Sequence, residues 1–254
     1  PLCRSSNGAI WAIINMLQAV AAKGWITTLK TGDTGVGYTL ESELGITANN
    51  RAAADFRGIE LKSHRSRRDS GAQITVFSKT PNWNLSRLKS SLEILNERGY
   101  YSDKKGRRQL NHEINAISPN SIGLQLVLTD NDTTLEQFFV PHDNPEQRQR
   151  DVQWAMSELQ KSMRKKHKET MWVEAKTQGK GITEQFKYVN AVHSRGYDSG
   201  SLPILLASGA MTIHYLIKET PTGGAKDHGY LFKLAPKFLT TMFTHIDEHS
   251  LNQQ

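Results

Sequence analysis

The sequence predicts a mixed α/β fold, α+β in its element order, and three observations support this. Helical and strand periodicities both occur, without a regular β-α-β rhythm. Two strand-like segments, 57–63 and 72–78, follow each other across a short charged connection, as in a meander. The 254 residues suit one large domain or two lobes, since domains run about 100–200 residues.

The first element is an amphipathic helix, Asn7 to Ala22, closed by Lys23-Gly24. Asn15 and Gln18 interrupt its apolar run, which matches a signal peptide poorly. No stretch reaches the roughly 18–20 apolar residues of a membrane span. The start at Pro1, without Met, suggests a processed chain or a fragment of something longer. A glycine-rich turn, Thr31 to Gly37 (TGDTGVG), then leads into a short helix, TLESELG, ended by Gly45. The turn lacks the GK[ST] ending of a Walker loop, so it shapes the approach to that helix.

Next come the strand Arg57 to Ser63, the charged patch Ser66 to Ser70 and a second strand, Ala72 to Ser78. A helix is expected over Leu85 to Arg98, with Leu85, Leu88, Leu92 and Leu95 at helical spacing. Strands are expected near Gln109–Ile117 and Ile122–Thr129. Polar, proline-containing Pro141 to Arg150 reads as a linker, dividing a lobe 1–140 from a lobe 141–254. A long basic helix, Val152 to Lys168, should turn Trp154, Leu159 and Met163 toward a core. Strands follow near Met171–Lys176, Met211–Lys218 and Tyr230–Leu234.

Hydrophobic residues make up 37%, a polar globular composition with enough apolar side chains for a core. Thirty-two Lys and Arg against 25 Asp and Glu give +7, which favours a polyanionic partner. The one cysteine, Cys3, excludes an internal disulfide framework and a cysteine-built zinc site. It fits a reducing, cytoplasmic compartment.

The informative stretch is Asp55-Phe56-Arg57-Gly58-Ile59-Glu60-Leu61-Lys62. Strand side chains two apart share a face, so Glu60 and Lys62 point one way while Ile59 and Leu61 enter the core. Asp55, Glu60 and Lys62 can then converge at one end of a sheet. Two carboxylates supply hard oxygen ligands for Mg²⁺, and a lysine beside the ion can orient water and offset negative charge. The spacing alone recurs often by chance and more readily describes a surface strand whose charges are solvated.

Three segments in order are GDTGVGYTLESELG (Gly32 to Gly45), ADFRGIELKSHR (Ala54 to Arg65) and KDHGYLFK (Lys226 to Lys233). With a weaker fourth, Trp172 to Tyr188, they resemble the MvaI/BcnI family of type II restriction endonucleases and, more distantly, the mismatch-repair nickase MutH. The resemblance implies a PD-(D/E)xK nuclease core, a central mixed sheet flanked by helices, with a carboxy-terminal lobe that reads DNA. It implies Asp55 and Glu60 as metal-binding acids, Lys62 as the catalytic lysine and Glu41 as a helix glutamate near the metal. The implied cofactor is Mg²⁺, with Mn²⁺ able to substitute. The implied partner is double-stranded DNA, cut by a prokaryotic intracellular monomer at a short pseudo-palindromic CC/GG-type site.

His228 matches the family's recognition histidine in the DHG motif, with Asp227 beside it. Two departures stand out. The family's Asp-x-Arg corresponds here to Thr212-Ile213-His214, and its arginine after DHG to Lys233. Lysine grips guanine less rigidly than arginine, so the family targets CCWGG and CCSGG do not transfer directly. For His214 and His228 the alternative is a histidine satisfied within its own strand or turn.

Of three basic clusters, His64-Arg65-Ser66-Arg67-Arg68 follows the candidate strand and is expected to touch phosphates near the scissile bond. Lys104 to Arg108 reads as a hairpin tip, and Arg164 to Lys168 as a helix end where positive charge suits the dipole without a ligand. Three alternatives stay open: a MutH-like nickase under partner control, a basic DNA-binding module without chemistry, and the catalytic half of a longer, effector-regulated enzyme with an additional DNA-binding effector domain, which the start at Pro1 would suit.

Overall fold

The computed structural model describes residues 2–46, 55–66 and 73–251. In chain order the elements begin α1 (Leu2–Ala22), β1 (Ile26–Thr27), α2 (Gly35–Glu43), β2 (Glu60–Arg65), β3 (Ile74–Ser78), α3 (Ser91–Arg98), β4 (Tyr100–Ser102) and β5 (Arg107–Ile114). They continue β6 (Leu124–Thr129), β7 (Thr134–Phe139), β8 (Gln149–Ala155), α4 (Met156–Lys166), β9 (Glu169–Gln178) and β10 (Gln185–Tyr197). The last are α5 (Ser201–Ala207), β11 (Met211–Glu219), β12 (Ala225–Leu234) and β13 (Phe243–Ser250). No helix among the described residues is long and apolar enough to cross a membrane.

The chain divides into two compact units. Unit 1 gathers Pro1–Ala72, Lys166–Tyr197 and Phe243–Gln254, and unit 2 gathers Gln73–Lys165 and Asp198–Met242. This differs from a cut at residue 140. Such a cut would separate β7 from β8, which are hydrogen-bonded neighbours in the sheet β6-β7-β8. The polar segment 141–150 connects two strands within unit 2 and does not link domains.

In unit 1, β10 is the spine of a mixed sheet. β9 flanks it antiparallel on one side, while β1 and β13 pair with opposite ends of its other side. β2 pairs parallel to β9 and forms the sheet edge. One face is covered by α1 and α2, whose Ile13, Leu17 and Leu40 pack with Leu61, Val173 and Phe186 in one buried cluster. Each such fully buried side chain contributes about 1.5–3 kcal/mol. The Tyr188 hydroxyl donates to the Val36 carbonyl at 2.9 Å, tying α2 to β10. A methyl at Gly35 would collide with the Lys30 carbonyl oxygen, so glycine lets the turn before α2 close tightly.

Unit 2 holds a five-stranded antiparallel sheet, β3-β12-β11-β5-β4, and the three-stranded sheet. α3 packs on the first. Tyr215, Tyr230, Phe232 and Trp154 form its aromatic centre, meeting edge to face. Fully buried Asp151 accepts from Arg98 and Gln137 at 2.8–2.9 Å and from Arg87. These bonds satisfy a charge that would otherwise be costly to bury.

Three expected elements are shorter than the sequence suggests, and β7, β10, α5 and β13 correspond to no expected element. The helix over 85–98 shrinks to α3, because the Ser90 side chain caps it by accepting from Glu93 N–H while Glu93 reaches back to Lys89 N–H. The helix over 152–168 begins only at Met156. Val152 and Trp154 are buried two residues apart on β8, the period of a strand paired with β7. The strand expected over 57–63 starts at Glu60, because Arg57 and Gly58 turn with positive φ of 47° and 94°. The hairpin tip lies at Asp103–Gly106 between β4 and β5, with Gly106 left-handed, while Arg107 and Arg108 already belong to β5.

Candidate active site

The tight turn at Arg57-Gly58 builds the site. Phe56 and Ile59 exchange both backbone hydrogen bonds, at 3.0 and 2.8 Å, around the two residues of positive φ. The chain therefore doubles back and brings Asp55 beside β2, where its Oδ2 accepts from Leu61 N–H at 2.9 Å. The four residues between Asp55 and Glu60 are the length this hairpin needs.

Along β2 the alternation sorts the side chains. Ile59 and Leu61 are buried at 1% and 5% exposure, while Glu60 and Lys62 share the other face. Lys62 Nζ lies 3.2 Å from Glu60 Oε1, and Lys166 Nζ, at the end of α4, lies 3.3 Å from the same oxygen. Burial lifts the Asp55 pKa above its ordinary value; the Leu61 N–H opposes this and the Glu60 charge adds to it. Glu41, on α2, is lifted by burial and by Asp55, with Lys62 opposing.

Asp55, Glu60 and Glu41 are thus electrostatically coupled carboxylates, and a bound cation would relieve their repulsion. Among the described residues no three His, Cys, Asp or Glu side chains form a ready cage for a metal ion. The oxygen donors of Asp55 and Glu60 suit an ion that keeps several waters, as Mg²⁺ does. Lys166 belongs to the cluster expected to be a solvated helix end; no local pattern marks it, since its partner lies more than a hundred residues away.

The basic cluster after the strand splits. His64 carries a buried Nδ1 that has no hydrogen-bond partner among the described residues, and burial pushes its pKa down against the pull of Glu174. Arg65 is committed within unit 1. Its Nε and Nη2 donate to Glu184 at 2.7 and 2.9 Å, and Nη1 and Nη2 donate to the Asp33 and Gly32 carbonyls. This assigns Arg65 to holding the glycine-rich turn, in place of the expected phosphate contact. Arg67 and Arg68 lie outside the described residues.

The expected base-reading residues lie in unit 2. Lys233 of β12 and His214 of β11 come together, with Nζ 2.7 Å from Nδ1, and His214 Nε2 lies 2.8 Å from Asn111 Oδ1 on β5. Thr212, paired with Lys233, contacts Gln73, which also donates to Glu113. Asp227 is separate from this group and accepts from Ser91 Oγ, which also bonds Tyr230 Oη. His228 is exposed where the β11–β12 register slips. Asn111 carries no sequence motif; only the strand pairing reveals it.

The sequence profile of the MvaI/BcnI restriction endonuclease family matches residues 14–243. Among solved structures, the chain resembles restriction endonuclease MvaI in complex with its cognate DNA substrate. The identity is 21%, the coverage 95% of this chain and 97% of that one, and the TM-score 0.78. It also resembles restriction endonuclease MvaI in the absence of DNA, at 20% identity, 94% and 97% coverage and a TM-score of 0.55. No curated protein sequence matches it significantly. At these identities the likeness speaks to the fold alone, which is that of restriction endonuclease MvaI.

Proposed function

This chain belongs to the MvaI/BcnI restriction endonuclease family, and from that premise we propose that it is a Mg²⁺-dependent type II enzyme hydrolysing double-stranded DNA at a short CC/GG-type site. The observation that carries the reading is the pair Glu60–Lys62, 3.2 Å apart on one face of an edge strand, with Asp55 folded back beside it. Unit 1 is the cutting unit and unit 2 the reading unit.

Asp55 and Glu60 would hold the ion, which when bound polarises a phosphodiester oxygen. Leu61 N–H holds the Asp55 carboxylate beside β2. Lys62 orients the attacking water and offsets charge developing on the phosphate. Glu41, raised in pKa among these acids, supports the site from α2. Cleavage leaves 5′-phosphate and 3′-hydroxyl ends. The monomer works inside the cell and cuts one strand, then the other. Its phosphate contacts make binding fall steeply with salt.

The test is to incubate the purified chain with a long sequenced DNA and Mg²⁺, then sequence the fragment ends. Discrete ends are expected from the native chain, and a loss of about 10²-fold or more from Glu60→Ala and Lys62→Ala. Breaks confined to one strand would replace this reading by a nickase. DNA left intact at low salt would overturn it.

A further inference from the structure

His214 sits between two side chains from neighbouring strands. Lys233 Nζ lies 2.7 Å from its Nδ1 and Asn111 Oδ1 lies 2.8 Å from its Nε2. An ammonium has donors only, so Nδ1 accepts and the proton of the neutral ring is on Nε2. Nε2–H then donates, and the Asn111 atom facing it has to be the carbonyl oxygen. One chain of bonds thereby fixes the histidine tautomer and the asparagine amide together.

The orientation changes what Asn111 can recognise. Asparagine reads adenine by accepting from N6–H while donating to N7. Here Oδ1 already receives the His214 proton, and the exposed side chain presents its Nδ2 donors. Lysine likewise brings only donors. Guanine offers two acceptors, O6 and N7, on its major-groove edge, whereas adenine places a donor at N6. We propose that Asn111, with Lys233, reads a guanine edge, and that His214 is the positioning residue orienting both. The proposal rests on the restriction-endonuclease reading and adds a specificity-determining residue to it.

The experiment is cleavage, by the full chain with Mg²⁺, of a DNA library varied at every position of the recognised site, with cut ends sequenced. Asn111→Asp keeps an acceptor for His214 but loses both donors. We expect guanine preference at one position to fall by about 10-fold or more, within the discrimination one good base contact supplies, while other positions hold. Asn111→Ala should relax the same position. His214→Ala should relax it too, whereas His214→Gln, which can accept from lysine and donate to asparagine, should restore it. Unchanged preference in both Asn111 variants, or a uniform loss at all positions, would overturn the inference while leaving the endonuclease reading intact. A native chain that cuts at no defined site overturns both. A shift from thymine, not guanine, in Asn111→Asp would refute the assigned base.

Discussion

Arg65→Ala is expected to loosen unit 1 itself, because the guanidinium is committed to protein acceptors on two segments, the glycine-rich turn and Glu184. It pairs with both oxygens of Glu184 at 2.7 and 2.9 Å and donates to the Asp33 and Gly32 carbonyls at 3.1 and 2.8 Å. It also lies 5.3 Å from the Phe186 ring centroid. The two charged side chains are only 15% and 14% exposed. Removing one partner of a fully buried pair costs about 3–5 kcal/mol, and an exposed pair contributes about 0–1 kcal/mol. A pair this far from solvent belongs between them, so the expected loss is about 2–3 kcal/mol. Glu184→Gln should lose less, and the double-mutant cycle should return about 1–2 kcal/mol of coupling. Urea unfolding without DNA measures these values, and a salt titration of DNA affinity runs beside it. If Arg65 instead gripped a phosphate, Arg65→Ala would keep its stability within about 0.5 kcal/mol and lower the salt slope by about 1. That pair of results would refute the clamp.

Gly35→Ala should destabilise by about 1–3 kcal/mol and slow cutting, because the Lys30 carbonyl must move and α2 carries Glu41. Gly37→Ala, whose new carbon would meet Ser63 Oγ at 3.5 Å, should unfold no more easily than the native chain. Lys166→Met should change stability by less than about 1 kcal/mol, since that side chain is 41% exposed. It should also lower the Mg²⁺ concentration for half-maximal cutting, because one ammonium no longer competes at Glu60; a higher requirement contradicts this. His64 is held below its ordinary value of 6.5 by burial, so protons favour the unfolded chain. Its share of stability is complete above about pH 6.5 and declines as pH falls below it. His64→Gln should flatten the urea midpoint between about pH 7 and 5, and an unaltered slope would remove the assignment.

The candidate catalytic strand is legible because its information is local. Glycine at 58 permits a two-residue turn, and the period of two then places Glu60 with Lys62 and buries Ile59 and Leu61. The unit boundary is not local. β2 finds its parallel partner at Thr170–Ala175, and the chain passes between units at 72–73, 165–166, 197–198 and 242–243. Composition shifts along the sequence cannot mark such returns, because each unit's core is assembled from segments far apart in the chain. The same applies to Asn111 and Lys166, whose meaning is set by side chains reached only through folding.

The fate of the basic run after β2 shows how a strand divides what a sequence groups. His64 and Arg65 are adjacent, yet on a strand they face opposite ways. His64 follows Glu60 and Lys62, whereas Arg65 follows Leu61 toward the glycine-rich turn, where Glu184 and two carbonyls receive it. A count of positive charges treats the two as one phosphate-binding patch. The alternation treats them as one residue beside the candidate cutting site and one brace beneath it. Net charge therefore speaks for a polyanionic partner of the whole molecule, while strand geometry decides which of its cations can reach that partner.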